Sequence, residues 1–247
     1  HTTVASPATP ATPPTSVIDI ASTTEIAHAH GARVVVDNTF ATPVLQRPLA
    51  LGADVVIHST TKFINGHGTV IGGALVCRDP DFMENGGGAL VRYIGAVPSA
   101  MDCWLTSIGL KTLPLRMREH CANARALAEF LDSNDRVVRT HWPGLETHPQ
   151  HEIAASQMDD FGAMISIDMG DFDSATRLMD GLSMCSLAVS LGNVDTLVQH
   201  PASMTHRLMS EEDRLAVGIT NGMIRISAGI ESAKDIIADF DRAISRL

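Results

Sequence analysis

Asp54-Val55-Val56-Ile57-His58-Ser59-Thr60-Thr61-Lys62-Phe63-Ile64-Asn65-Gly66-His67-Gly68 opens on three β-branched residues and closes on a lysine followed by a glycine-rich turn. A short apolar run of this kind, bounded by turn formers, predicts a strand buried on both faces of a parallel sheet. Arg33-Val34-Val35-Val36-Asp37 has the same form, and Thr69 to Cys77 is a third such run with Gly72 and Gly73 inside it. Pro48 to Ala53 predicts a short helical turn between the first two. Val17 to Gly31 predicts a helix, capped by Asp19 or Ser22 and ended by Gly31. Buried strands joined by helices give an α/β layer architecture.

The pattern changes further on. Ser99 to Ser133 is rich in helix formers, with Pro114 as the expected break or kink. Four strands are predicted after it: Val137 to His141, Ala163 to Asp168, Ser186 to Ser190 and Met223 to Ser227. Helices at Asp173 to Leu182 and Ser232 to Leu247 are interleaved, the second opening on a Ser232-x-x-Asp235 capping pattern. Residues 17–110 therefore read as a large α/β domain with a mostly parallel sheet. Residues 111–247 read as a linking helix and a small α+β domain. Residues 1–16 are rich in Pro, Thr and Ala and show no period, which predicts a disordered leader or the stub of a longer chain.

Formal net charge is −10 over 247 residues. That balance argues against nucleic acid and anionic membrane as partners, since both select basic surfaces. No apolar run is long enough to span a bilayer. The four cysteines, Cys77, Cys103, Cys121 and Cys185, show no CxxC spacing, which speaks against a metal site and for a reducing, cytoplasmic setting.

Asp37 ends one predicted strand, and Ser59-x-Thr61-Lys62 ends the next. In open parallel sheets ligands sit beyond the carboxyl ends of the strands, so both groups should face one crevice. A partly buried lysine loses its proton more readily and can form a Schiff base with an aldehyde. The hydroxyls of Ser59 and Thr61 could hold a phosphate beside it. The carboxylate of Asp37 could pair with a pyridinium nitrogen and keep that ring an electron sink. Aldehyde, phosphate and pyridine nitrogen together describe pyridoxal 5'-phosphate. Alone, each element is ordinary: a strand-end Asp is usually a cap, and Gly66-His67-Gly68 is usually a flexible turn. Their order on adjacent strands is what makes the set specific.

These segments resemble the Cys/Met-metabolism family of pyridoxal-phosphate enzymes. The likeness rests on Asp37-Asn38-Thr39-Phe40, Leu45-Gln46-Arg47-Pro48, Leu51-Gly52-Ala53-Asp54 and the stretch from Ser59 to Gly68. It continues through Gly109-Leu110-Lys111-Thr112-Leu113, Ser190-Leu191-Gly192, His200 to His206 and Ile224 to Glu231. The resemblance implies a pyridoxal-phosphate transferase fold of the aspartate aminotransferase kind, fold type I. It implies that Lys62 carries the cofactor and moves the Cα proton, with Asp37 at the pyridinium and Ser59 and Thr61 at the phosphate. Arg225 would grip the substrate carboxylate, where a planar fork suits bidentate binding. Ser190 and Thr205 would line the same pocket, Thr205 near the lysine. Thr12 stands where the family places an asparagine at the cofactor's phenolic oxygen. The family's homotetramer, a dimer of dimers, is also implied.

Val189 stands where the cystathionine enzymes usually have glutamate, as in methionine γ-lyase and the sulfhydrylases. Gly95 to Ser99 with Asp102-Cys103-Trp104 instead resembles the cystathionine enzymes. The expected activity is γ-elimination from a sulfur amino acid to a thiol, 2-oxobutanoate and ammonia. Cystathionine γ-synthase, cystathionine γ-lyase and O-acyl-homoserine sulfhydrylase activities are the alternatives. The family also carries, upstream, a glycine-rich phosphate loop, a ring-stacking tyrosine and a Tyr/Arg pair lent to the neighbouring subunit. Tyr93 matches neither tyrosine position. A catalytically inactive assembly module is therefore a second expectation of a different class.

Overall fold

A computed structural model describes residues 4–11, 13 and 15–247. Its first sheet holds β1 (Val4–Ala5), β2 (Arg33–Asp37), β3 (Val55–Ser59) and β4 (Gly73–Cys77), in that order across the sheet. β1, β2 and β3 run parallel, with Val35 opposite Val55 and Asp37 opposite Ile57. β4 runs antiparallel to β3, with Ser59 opposite Gly73. Helix α1 (Ile20–Ala29) is capped by Asp19, whose carboxylate accepts the Ser22 N–H at 2.9 Å. It contributes Ile20 and Ala27 to a core with Val34 and Val36.

Two expectations fail here. Part of the leader is ordered: Val4 and Ala5 pair with Arg33 and Val34, and Ala8 bridges to Asp37. A two-residue edge strand needs only backbone partners, so it leaves no hydrophobic period to read. The strands are also not all buried on both faces. Ile57, Leu75 and Val76 remain 37%, 37% and 45% exposed. β4 is an edge strand, and this part of the sheet stays partly open.

After the short helices α2 (Thr42–Leu45) and α3 (Gly88–Ile94) comes α4 (Ala100–Asp132), which runs unbroken through Pro114. The expected break is absent. Proline at 114 removes the donor to the Leu110 carbonyl, and Leu110 sits on the half-exposed side of the helix. The adjoining Gly109 carbonyl accepts from Arg116 Nη2 at 2.8 Å.

The second sheet comprises β5 (Arg139–His141), β6 (Met164–Asp168), β7 (Ser186–Leu187), β8 (Leu197–Gln199) and β9 (Met223–Ser227), in the order β5-β6-β9-β8-β7. The remaining helices are α5 (His151–Gln157), α6 (Phe172–Gly181), α7 (Glu211–Ala216) and α8 (Ala233–Ile244). Ser232 makes no side-chain cap to α8, so the predicted capping pattern is not used. β8 and α7 were not foreseen from the sequence.

Strand alternation gives the second sheet two characters. Ile165, Ile167, Val198, Ile224 and Ile226 form a core with Leu127 and Leu131 of α4, Leu178 of α6 and Phe240 of α8. Each fully buried Leu or Ile there contributes roughly 1.5–3 kcal/mol. The opposite side carries a polar row, in which Arg225 lies opposite both Ser166 and Gln199. Among the described residues, no helix is long and apolar enough to cross a membrane.

Candidate active site

Asp37, Ile57 and Ser59 share one face of the first sheet, because Asp37 and Ile57 are in register and Ser59 follows by one strand period. A hydrogen-bond path ties the two strand ends together. Asp37 Oδ1 accepts the Thr39 N–H at 3.0 Å, and Thr39 Oγ1 accepts the Ser59 N–H at 2.8 Å. Thr39 is buried, and its place in this path was not anticipated. The Ser59 hydroxyl has no partner among the described residues. Thr61 Oγ1 is turned onto Gly72, accepting its N–H at 3.0 Å and donating to its carbonyl at 3.3 Å.

Beyond Ser59 the chain enters a single wide helical turn, Thr60–Ile64. Lys62 interrupts it with non-helical backbone angles, φ −90° and ψ −135°. Its side chain is half-buried, and Nζ lies 3.5 Å from Ser190 Oγ. Burial lowers the affinity of this amine for its proton, and the nearby Arg225 charge lowers it further.

Arg225 projects from the middle of β9 and is 7% exposed. Burial pulls its guanidinium down to about 10, still charged at neutral pH. Nη2 donates to the Ser190 carbonyl at 3.0 Å, and this is the guanidinium's one hydrogen bond among the described residues. Several donors of the fork therefore stay available for an anion. Ser190 thus meets both cations, Lys62 through its hydroxyl and Arg225 through its carbonyl. Gly192, two residues on, donates its N–H to Ser227 Oγ at 2.9 Å and fixes this loop to β9.

Val189 is 56% exposed and Thr205 is exposed. No hydrogen bond joins Thr205 to Lys62. Its hydroxyl accepts from Gln199 Nε2 at 3.2 Å, so it reaches the site through the strand partner of Arg225. Gln199 is 1% exposed, and its Oε1 is buried without a partner. The sequence carries no signal for it, because the strand that holds Gln199 is not legible there. Thr12 lies outside the described residues. Lys62, Ser190 and Arg225 are thus brought together, as are Asp37 and Ser59.

A half-buried amine, an available buried guanidinium, a strand-end carboxylate and an unpartnered serine hydroxyl suit a ligand with an aldehyde, a carboxylate, a basic ring nitrogen and a phosphate. Solved structures share this fold. A cystathionine γ-synthase from Xanthomonas oryzae pv. oryzae superposes with a TM-score of 0.95 at 45% identity, over 99% of this chain and 63% of that one. A methionine γ-lyase from Micromonospora echinospora, CalE6, gives a TM-score of 0.93 at 47% identity, over 98% and 65%. The fold is that of the fold type I pyridoxal-phosphate-dependent enzymes.

Within that class, the profile of the Cys/Met metabolism PLP-dependent enzymes matches residues 2–245, and the chain belongs to that family. It is 46% identical to an L-methionine γ-lyase of Fusobacterium nucleatum subsp. polymorphum, over 100% of this chain and 63% of that protein. It is 45% identical to a cystathionine β-lyase of Lactococcus lactis subsp. cremoris, over 96% and 62%. The chain therefore spans about 63% of the length of the curated relatives it matches.

Proposed function

We propose that this chain supplies the cofactor lysine and the carboxylate-binding arginine of a carbon–sulfur lyase acting on sulfur amino acids, with methionine γ-elimination as its reaction. The carrying observation is the triad of Lys62, Ser190 and Arg225, in which one serine touches both cations. Bound pyridoxal phosphate supplies an electrophilic aldehyde and a ring that accepts the electron pair left at Cα. Arg225 holds the substrate carboxylate and so fixes which Cα substituent faces Lys62. Lys62, whose hold on its proton is weakened by burial and by the Arg225 charge, takes the Cα proton. Asp37 holds the proton on the ring nitrogen. Ser59 and Thr61 would hold the phosphate. Ser190 orients the Lys62 amine, while Val189 and Thr205 border the substrate.

Val189 offers no charge to a second amino group, which favours methionine over cystathionine. The protein carrying this chain should release 2-oxobutanoate and methanethiol from L-methionine, and borohydride reduction should attach the cofactor to Lys62. Faster turnover of cystathionine, or reduction that labels another lysine, would refute the assignment.

We also propose a homotetramer built from dimers. Met101, Trp104, Ile108 and Leu115 lie at heptad-like spacing on α4, and each is at least 42% exposed. The four cysteines are all free, which suits the cytoplasm.

A further inference from the structure

Arg116 is 5% exposed, and no carboxylate pairs with it among the described residues. A buried cation without a counter-ion is costly unless its donors are well used. Here they are. Nη1 donates to the Phe63 carbonyl at 2.7 Å, and Nη2 to the carbonyls of Ile64 at 3.2 Å and Gly109 at 2.8 Å. Nε donates to Thr112 Oγ1 at 3.0 Å. Phe63 and Ile64 are the two residues that follow Lys62.

The surroundings are shaped for this contact. A Cβ on Gly66, whose φ is +72°, would collide with Arg116 Nη1, and one on Gly109 would collide with the Asn65 carbonyl. Two missing side chains thus let α4 press directly on the Lys62 turn. One helical turn beyond Arg116, His120 stacks edge-on against Phe63 with ring centroids 5.2 Å apart. α4 therefore grips the turn through its backbone and through the Phe63 ring, while Lys62 departs from helical angles between Thr61 and Phe63.

We propose that Arg116 is a positioning residue for Lys62: its buried guanidinium fixes the carbonyls of the turn and so sets where Nζ is presented. The proposal rests on Lys62 being the cofactor lysine. Arg116 makes its hydrogen bonds to the carbonyls of Phe63, Ile64 and Gly109 and to Thr112 Oγ1, and none to the side chains of Lys62, Ser190 or Arg225. It acts on the turn through the carbonyls of Phe63 and Ile64, while its bonds to Gly109 and Thr112 hold it to α4.

The test is borohydride trapping of pyridoxal phosphate, mapped by mass spectrometry and followed against pH in the complete protein. The wild type should trap at Lys62. Arg116→Lys keeps the charge but loses the fork, and should slow trapping about tenfold. It should also move the pH midpoint upward, because a loosened turn lets water reach the amine. Thr112→Val removes the Nε acceptor, together with the Thr112 hydroxyl's own bond to the Gly109 carbonyl, and leaves the bonds to Phe63 and Ile64, so it should give a smaller change of the same sign. Arg125→Lys on the same helix should lower the melting temperature and leave the midpoint in place. If Arg116→Lys does not fold, Thr112→Val decides: a raised midpoint supports the proposal, and an unmoved one overturns it. Folded Arg116→Lys with wild-type rate and midpoint also overturns it. A wild type that traps nothing at Lys62 overturns the cofactor assignment itself, and the proposal with it.

Discussion

Lys62 Nζ lies 3.5 Å from Ser190 Oγ across 128 positions of chain, and this contact joins the two sheets at the site. Ser190 is in turn held by Arg225, so the loop that meets the lysine is anchored to the central strand pair of the second sheet. Replacing Lys62 with Met should abolish borohydride trapping at this position. It should also stabilise the protein at neutral pH. Burial depresses the folded pKa of Lys62 below its unfolded value, so its charge costs stability below the folded pKa, and that cost fades as pH rises through it. The stability gain of Lys62→Met should therefore shrink in alkaline solution. Denaturation midpoints at neutral and alkaline pH measure this, and a gain that grows with pH would contradict it.

Arg225→Lys keeps a positive charge but loses the planar fork. If the fork binds the substrate carboxylate, KM should rise about ten- to a hundredfold, with a smaller fall in kcat. Steady-state kinetics with L-methionine separates the two. An equal loss in kcat with KM unchanged would place Arg225 elsewhere in the reaction.

The parts of the fold that bury side chains were legible in the sequence, while the parts built from backbone bonds were not. Val34, Val36 and Val55 announce β2 and β3, and Ile224 and Ile226 announce β9, since each is buried and β-branched. Val4 and Ala5 announce nothing, because their strand rests on two backbone-paired residues, of which only Ala5 packs on the core. Pro114 misleads because one lost helical bond costs less than the burial of Leu113, Met117 and Cys121 around it contributes. At the site, Lys62 and Asp37 stood out by type and by their places at adjacent strand ends, while Arg225 was named only through the family resemblance. Thr39, Arg116, Gly192 and Gln199 did not stand out, since a supporting role depends on which distant carbonyl or strand lies alongside.

Asp239 shows how the second sheet holds its entry to β7. It is 1% exposed, and its carboxylate accepts the N–H groups of Ser183, Met184 and Cys185. Burial alone would raise its pKa, but these donors outweigh it and lower the group to about 2. A depressed carboxylate stabilises the fold above its unfolded pKa, and that contribution is lost as pH falls toward 2. Asp239→Asn should cost roughly 2 kcal/mol at neutral pH. The difference from wild type should close in strong acid, and urea titrations at both pH values would show it.

The exposed stripe of α4 gives a separate test of assembly. Trp104 is 59% exposed at the centre of Met101, Trp104 and Ile108. If these residues meet a second copy of the chain, Trp104→Glu buries an unpaired charge at that interface. Light scattering should then report a smaller particle with the fold intact by circular dichroism. An unchanged mass would show that α4 does not hold subunits together.

Gly192 permits the approach of the Ser190 loop to the Lys62 turn, and Gly68 provides its control. Both have left-handed backbones, with φ of +72° and +64°. A Cβ on Gly192 would lie 2.7 Å from the Phe63 nitrogen, whereas one on Gly68 would find only Asn193 Oδ1 at 3.9 Å. Backbone strain should therefore cost both alanine variants on the order of 1 kcal/mol. Only Gly192→Ala must also push the loop off the turn, which separates Ser190 from Lys62 and draws Arg225 with it. Gly68→Ala should lose melting temperature and keep wild-type trapping at Lys62, and Gly192→Ala should lose both. Equal trapping in the two variants would mean that the spacing between the sheets does not govern the lysine.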